Sequence, residues 1–420
     1  MERQQESLPR LWTKPFITVT LSNLFLFLNL QMITVVLPAF IAAEYGASSV
    51  TISWVISIFA LVAILTRFYA GNAIMRLGKS RMLLIGLIIY LAATASYYWA
   101  GAIALIMLVR ILYGVGFGLT STAVGTMASD IIPPKRIGEG MGYFGLSSGL
   151  SMSLAPVIGL AVYQSFGFDV LILVSAILVA IVFPLAVSLR AAGKEGAGGL
   201  HAAEAKRRAE DGGAKEKRGS AENGRKRLID KEVLLPCFLN LFFTVTYGGL
   251  ISFLTMFGKE THIANVGWFF LFNALAVMLV RPFAGKLFDR NGPVAVLPAG
   301  ALFVIAGLVL LSFAASTAVM IVAAVSYGIG YGILQPSLQA WTVKRVSPER
   351  RGAATGMFYN STDLGIAIGS LLLGIVATQT SYAMMYRLSA GFLVLFLLFY
   401  GLSYLSQGSK RGQTASSGQL

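Results

Sequence analysis

"TRFYAGNAIMRLGKSR", residues 66–81, returns without a gap as "VRPFAGKLFDRNGPVA", residues 280–295. Arg67, Ala70, Gly71, Arg76 and Gly78 fall on Arg281, Ala284, Gly285, Arg290 and Gly292, an offset of 214 residues. The register holds well beyond this stretch. Gly86 meets Gly300, and Tyr113, Gly114, Gly116 and Gly118 meet Tyr327, Gly328, Gly330 and Gly332. Further on, Pro134, Arg136, Gly138, Gly142 and Phe144 meet Pro348, Arg350, Gly352, Gly356 and Phe358. The 420-residue chain is therefore two copies of one unit.

Composition says what kind of unit. Hydrophobic residues make up 56% of the chain and charged residues 12%, whereas a soluble domain carries about a quarter charged. Apolar runs of about 20 residues recur, each long enough to cross a hydrocarbon core of about 30 Å. Twelve are predicted, near 16–38, 50–73, 82–99, 103–127, 138–164, 168–189, 233–257, 264–288, 294–314, 317–341, 352–378 and 383–405. A membrane barrel would show short alternating strands instead, so the expected class is an all-α polytopic membrane protein. The first run begins at Phe16 and passes Val36, too long for a signal-peptide core, and reads as an uncleaved span.

Lys and Arg concentrate in alternate loops: Arg76, Lys79 and Arg81; Lys135 and Arg136; Arg190 to Lys231; Lys286 and Arg290; Lys344, Arg345, Arg350 and Arg351. By the positive-inside rule both termini and the central loop are expected in the cytoplasm. The net charge of +15 is thus topology, with the lipid bilayer as partner, and no nucleic-acid surface is expected. The predicted organisation is a tail 1–15, a six-helix bundle 16–189, a basic loop 190–231, a second bundle 232–406 and a tail 407–420. The loop mixes both charge signs with Gly and Ala, lacks aromatic residues, and reads as a flexible linker.

The single cysteine, Cys237, excludes a disulfide within the chain, and His201 and His262 both lie in polar connections. No metal site and no cofactor are expected. Without an HExxH, GxSxG or P-loop pattern, an enzyme is not expected either. Six spans separate the copies, so both point the same way through the bilayer, about a pseudo-two-fold axis along its normal. Secondary transporters commonly place their site between such halves.

At this point the chain resembles the major facilitator superfamily over nearly its whole length, and within it the bacterial twelve-span drug:proton antiporters. "GNAIMRLGKSR" and "GKLFDRNG" resemble the family's loop motif after spans two and eight, here Gly71, Arg76, Gly78 and Arg81 and again Gly285, Asp289, Arg290 and Gly292. Met75 stands where the family usually has an aspartate, which by resemblance belongs to a charge relay closing the cytoplasmic side. "GYFGLSSGLSMSLAPVIG", 142–159, resembles the antiporter motif of span five: Gly142, Pro156 and Gly159 match, and Ala155 and Ser151 replace glycines. Its proline permits a kink.

Features present in both copies serve the shared fold; those in one copy are functional candidates. The glycines repeat, as close helix packing in lipid requires. Arg110 does not: its counterpart is Ala324. A charge near the bilayer centre costs at least about 2.5–3.5 kcal/mol. Arg110, roughly 12 Å inside its span, therefore reads either as a structural arginine bonded to carbonyls or as a cavity arginine for substrate or proton coupling. The latter resembles the family's fourth-span arginine. Asp363, roughly 16 Å deep, is matched by Gly149. It reads as a proton-coupling or cation-binding acid, or as an interface carboxylate held by Asn360, Ser361 and Thr362.

Further cavity candidates are Asn23 and Gln31 in span one, Asn240 and Tyr247 in span seven, Gln335 and Gln339 in span ten, and Asn360; Asn29 points away from Asn23 and Gln31. The resulting expectation is a secondary transporter of the bacterial cytoplasmic membrane, a functional monomer, exporting small amphipathic or cationic compounds against protons. Export of an endogenous metabolite such as a metallophore, or proton-coupled uptake of a sugar or organic acid, are the alternatives.

Overall fold

The computed structural model describes residues 9–47, 49–210, 231–263 and 266–416. Among them there is no strand. Eleven helical runs are long and apolar enough to cross a membrane. One, Pro134–Leu189, has 56 residues, about 84 Å of helix where about 30 Å suffices. It breaks at Gly167, whose φ of 84° and ψ of 179° lie outside the helical region and are open only to glycine without strain. Its two arms bring the crossings to twelve, in the order the sequence predicts.

The helices are α1 Lys14–Tyr45, α2 Ser49–Leu77, α3 Lys79–Ser96, α4 Ile103–Ile131, α5 137–166, α6 168–210, α7 Leu234–Glu260, α8 Gly267–Asn291, α9 Pro293–Ser312, α10 Thr317–Lys344, α11 Arg351–Gln379 and α12 Tyr382–Ser416. Helix α6 continues through Glu210, well into the stretch expected as a flexible linker, because "LHAAEAKRRAE" is built of strong helix formers. The rest of that stretch, 211–230, lies outside the described residues, as does most of the N-terminal tail. Helix α12 likewise runs into the expected C-terminal tail. Pro156 sits inside α5 without ending it; the non-helical residue of the run is Gly167.

Two compact units emerge, and each borrows a short piece of the other half's sequence. The first is Met1–Pro133, Leu150–Lys231 and Val346–Met357; the second is Pro134–Gly149, Glu232–Arg345 and Phe358–Leu420. The borrowed pieces are the starts of α11 and α5, which are repeat equivalents.

Within the first unit the repeated glycines bring backbones together. A β-carbon on Gly116 of α4 would stand 2.6 Å from the Cα and N of Tyr90 in α3. In the second unit one on Gly330 of α10 would stand 2.6 Å from the Gly300 carbonyl of α9. The buried hydroxyls of Thr120, Ser121, Thr122 and Thr126 each donate to a carbonyl of their own helix, α4, so they need no partner in lipid. Gly116→Ala is expected to destabilise the protein by about 1–3 kcal/mol, the usual cost of overpacking. Gly101→Ala, with nothing within 4 Å of its β-carbon, should leave melting in detergent unchanged.

Candidate functional site

In the first unit, α1, α3, α4 and α6 meet at a neutral polar knot. Asn29 donates to the Ser175 carbonyl at 2.8 Å, and Tyr113 donates to Asn29 Oδ1 at 2.6 Å. Tyr90 donates in turn to the Tyr113 hydroxyl at 3.0 Å. Asn29, set aside by the sequence, is thus the residue of α1 that ties the bundle. Asn23 is buried on the same helix, and Gln31 is half-buried.

Beside this knot lies Arg110, fully buried. Its guanidinium carbon is 5.5 Å from the Phe59 ring centre and 5.7 Å from that of Tyr113. Nε, Nη1 and Nη2 all lack a hydrogen-bond partner. The expectation of an arginine bonded to carbonyls is therefore not met: ring faces hold the cation, and its donors remain unused. Aromatic faces offer a cation about 0.5–2 kcal/mol, well short of its desolvation cost.

The second half of the span-five motif also serves this unit. Ser151 donates to the Leu24 carbonyl at 3.0 Å, and a β-carbon on Gly159 would stand 3.2 Å from the Met32 Cα. With Ala155 buried, these small residues let α5 lie against α1. Gly142 belongs to the second unit, where its β-carbon would stand 3.1 Å from the Arg281 carbonyl.

There α7 is pinned to α11. Asn240 donates to Ser361 Oγ at 2.9 Å and Thr362 Oγ1 at 2.8 Å. Asn360 is buried and Asp363 half-buried, on the same helix. Gln339 donates to the Tyr359 hydroxyl at 3.3 Å. Gln335 accepts from Arg281 Nη2 at 3.1 Å, and Tyr247 stacks obliquely on Tyr331, ring centres 5.0 Å apart.

The loop motif forms a lock in each unit, with opposite polarity. Both copies turn on a glycine with positive φ, Gly78 at 80° and Gly292 at 72°. In the second unit Gly285 admits the start of α5, and Asp289 accepts from the backbone N–H of Gly138 at 2.8 Å and Glu139 at 2.9 Å. An acid thus caps a helix N-terminus, as its dipole favours. Lys344 pairs with Asp289 at 3.1 Å.

In the first unit Gly71 admits the start of α11, but Met75 has no charge. Asp130, the counterpart of Lys344, supplies the acid instead and pairs with Lys79 and with Arg351, the latter at 3.1 Å. Arg351 also donates to the Ser129 carbonyl at 2.8 Å. Here a cation caps the C-terminal end of α4. Beside Met75 opens a pocket of about 390 Å³, lined by Ile74, Lys79, Thr126, Pro348 and Glu349.

Arg76, Arg81 and Arg290, expected in the gating motif, are exposed and join neither lock. Lys79, Asp130, Lys344 and Arg351 do the pairing. Asp289→Ala should destabilise the protein by about 1–2 kcal/mol, the size of a lost N-cap. Met75→Asp, which places an acid at the start of α11, should raise the melting temperature; both are read by thermal unfolding in detergent.

The chain is thus twelve crossings in two six-helix repeats, each with buried arginine and a charged lock. The Major Facilitator Superfamily model matches residues 19–264 and 237–419, and the chain belongs to that family. It is 23% identical over 402 residues to the staphylopine export protein of Staphylococcus aureus, covering 94% of this chain and 97% of the relative. It is 23% identical over 372 residues to an uncharacterised transporter of Methanocaldococcus jannaschii, covering 84% and 89%. The fold is similar to the human organic anion transporter MFSD10, with TM-score 0.75, 15% identity, and 93% and 100% of the two chains covered. It is also similar to FucP in the outward conformation, at 0.73, 15%, 93% and 98%.

Arg281 escaped the sequence reading because it repeats as Arg67 and so sorted with the scaffold. The signal that finds it is depth: it lies eight residues inside Asp289 on α8, about 12 Å into the span.

Proposed function

We propose that this protein is a proton-coupled exporter of small amphipathic molecules in the cytoplasmic membrane of a bacterium, working by alternating access with both termini in the cytoplasm. The observation that carries the reading is Arg110, a fully buried guanidinium with three unused nitrogens and ring faces around it. Such a group seeks an anion, and a substrate that brings one relieves the cost of its burial. Molecules carrying an anionic group, among them endogenous metabolites such as a metallophore, are therefore placed ahead of purely cationic ones. The staphylopine exporter, a relative over nearly its whole length, supports the metabolite reading. Asp363 is assigned as the proton-carrying group.

Multidrug efflux of cations is the second reading. It is favoured by the half-buried carboxylate of Asp363, and by 26% identity to multidrug resistance protein 2 of Bacillus subtilis over 147 residues, 35% of this chain and 36% of the relative. Efflux from preloaded, pump-deficient cells tests both. Carboxyfluorescein serves as the anion and ethidium as the cation, each with and without a protonophore. Protonophore-sensitive efflux of the anion supports the first reading, and of ethidium alone the second. If neither dye leaves faster than from cells lacking the protein, the export reading fails.

A further inference from the structure

We propose that Arg281 and Gln335 of the second unit form a binding site for the carboxylate of an amphipathic organic acid. The site deepens the proposed export of anion-bearing molecules and rests on that reading for its traffic. Arg281 is 1% exposed. Of its donors only Nη2 has a partner, the neutral Gln335 oxygen at 3.1 Å, while Nε and Nη1 have none. Among the described residues no carboxylate pairs with it. A guanidinium carries five N–H donors in a planar fork that matches the two oxygens of a carboxylate.

The surroundings are built for this arginine. A β-carbon on Gly145 would stand 2.9 Å from Nη1, so the glycine there lets the guanidinium lie close on α5, while one on Gly149 would make ordinary contact at 3.5 Å. At the repeat-equivalent positions of Gln335, Gly145 and Gly149 stand Ser121, Tyr359 and Asp363, so the berth is not duplicated around Arg67. Tyr247 and Tyr331 of the same unit, ring centres 5.0 Å apart, supply ring faces for an apolar body. Arg281 is closed off from solvent here, as a site in alternating access is in one of its states.

The competing role is a brace for the glycine face of α5, and Gln335→Glu separates the two. A carboxylate at 335 pairs internally with Arg281. It should raise the melting temperature of the ligand-free protein and weaken binding of external carboxylates. The probes are acetate, phenylacetate and succinate, each against its amide, added to purified protein in detergent with thermal unfolding as readout. The carboxylates, phenylacetate foremost, should stabilise the wild type, and the amides should not.

Arg281→Gln and Gln335→Glu should each weaken phenylacetate at least roughly tenfold, as expected when one side of a buried charge pair is removed or pre-occupied. Arg110→Gln separates the two arginines. The site is overturned if no carboxylate of the series stabilises the wild type, or if both variants bind phenylacetate as the wild type does. It is equally overturned if binding is lost in Arg110→Gln and kept in Arg281→Gln, an outcome that leaves anion export standing. Binding lost in Arg281→Gln, in a protein that exports neither dye, keeps the site and removes the export reading.

Discussion

Arg110→Met is expected to lower transport by about a hundredfold or more while raising thermal stability. The two effects have one cause. In the folded protein the guanidinium is fully buried, with no acceptor for Nε, Nη1 or Nη2. An uncompensated charge of this kind costs several kcal/mol, and an apolar side chain of similar length against Phe59 and Tyr113 removes that cost. Function and stability trade against each other at such sites. Losing a hydrogen-bonded charge partner of the substrate is worth about 2–5 kcal/mol, which sets the size of the transport defect. Arg110→Lys retains the charge but lacks the planar fork, and should recover only part of the activity. Transport in membranes of matched protein content, with melting temperature measured alongside, gives both readouts. A variant that transports normally, or one that is merely unfolded, contradicts the assignment.

Asp363→Asn is expected to abolish uphill, proton-driven export while leaving substrate exchange down its own gradient. Asparagine keeps the size and polarity of the side chain but cannot release a proton. The neighbouring anchor, Asn240 bonded to Ser361 and Thr362, does not involve residue 363 and should hold α7 to α11 in the variant. A coupling acid therefore shows loss of proton drive with exchange retained. An interface carboxylate would show loss of both, through a weakened bundle, or of neither.

The fold was legible because its two signals are global. Apolar runs of membrane length and the 214-residue offset set the number and order of the helices. Neither depends on a contact. The break that divides α5 from α6 was likewise placed correctly between the fifth and sixth runs, and Gly167 is the residue that makes it. Where the sequence reading departed from the molecule, side chains decided. Helix α6 outlasts the apolar run because alanine, lysine and glutamate favour a helix with or without a membrane around it.

The candidate site was legible only in part. Arg110 stood out by failing to repeat, but its lack of any acceptor is a fact of packing that no pattern carries. Arg281 was hidden by the same criterion, since the scaffold role of its repeat partner was extended to it. The locks show the limit most clearly. Met75 was recognisable as a missing acid, yet its replacement lies at Asp130, fifty-five residues away in sequence. Only the fold brings Asp130 to Lys79 and Arg351, and only there is the reversal of polarity between the two units visible.

The measurement that tests the central claim most directly uses purified protein reconstituted in liposomes that enclose a pH-sensitive dye. Whichever of carboxyfluorescein or ethidium cells export is presented under an imposed pH gradient; when carboxyfluorescein is the cargo, the enclosed dye is one of distinct colour. Proton-coupled transport predicts substrate movement beyond its own equilibrium, a matching proton flux in the opposite direction, and loss of both in Asp363→Asn. Movement that stops at equilibrium and ignores the pH gradient would contradict it.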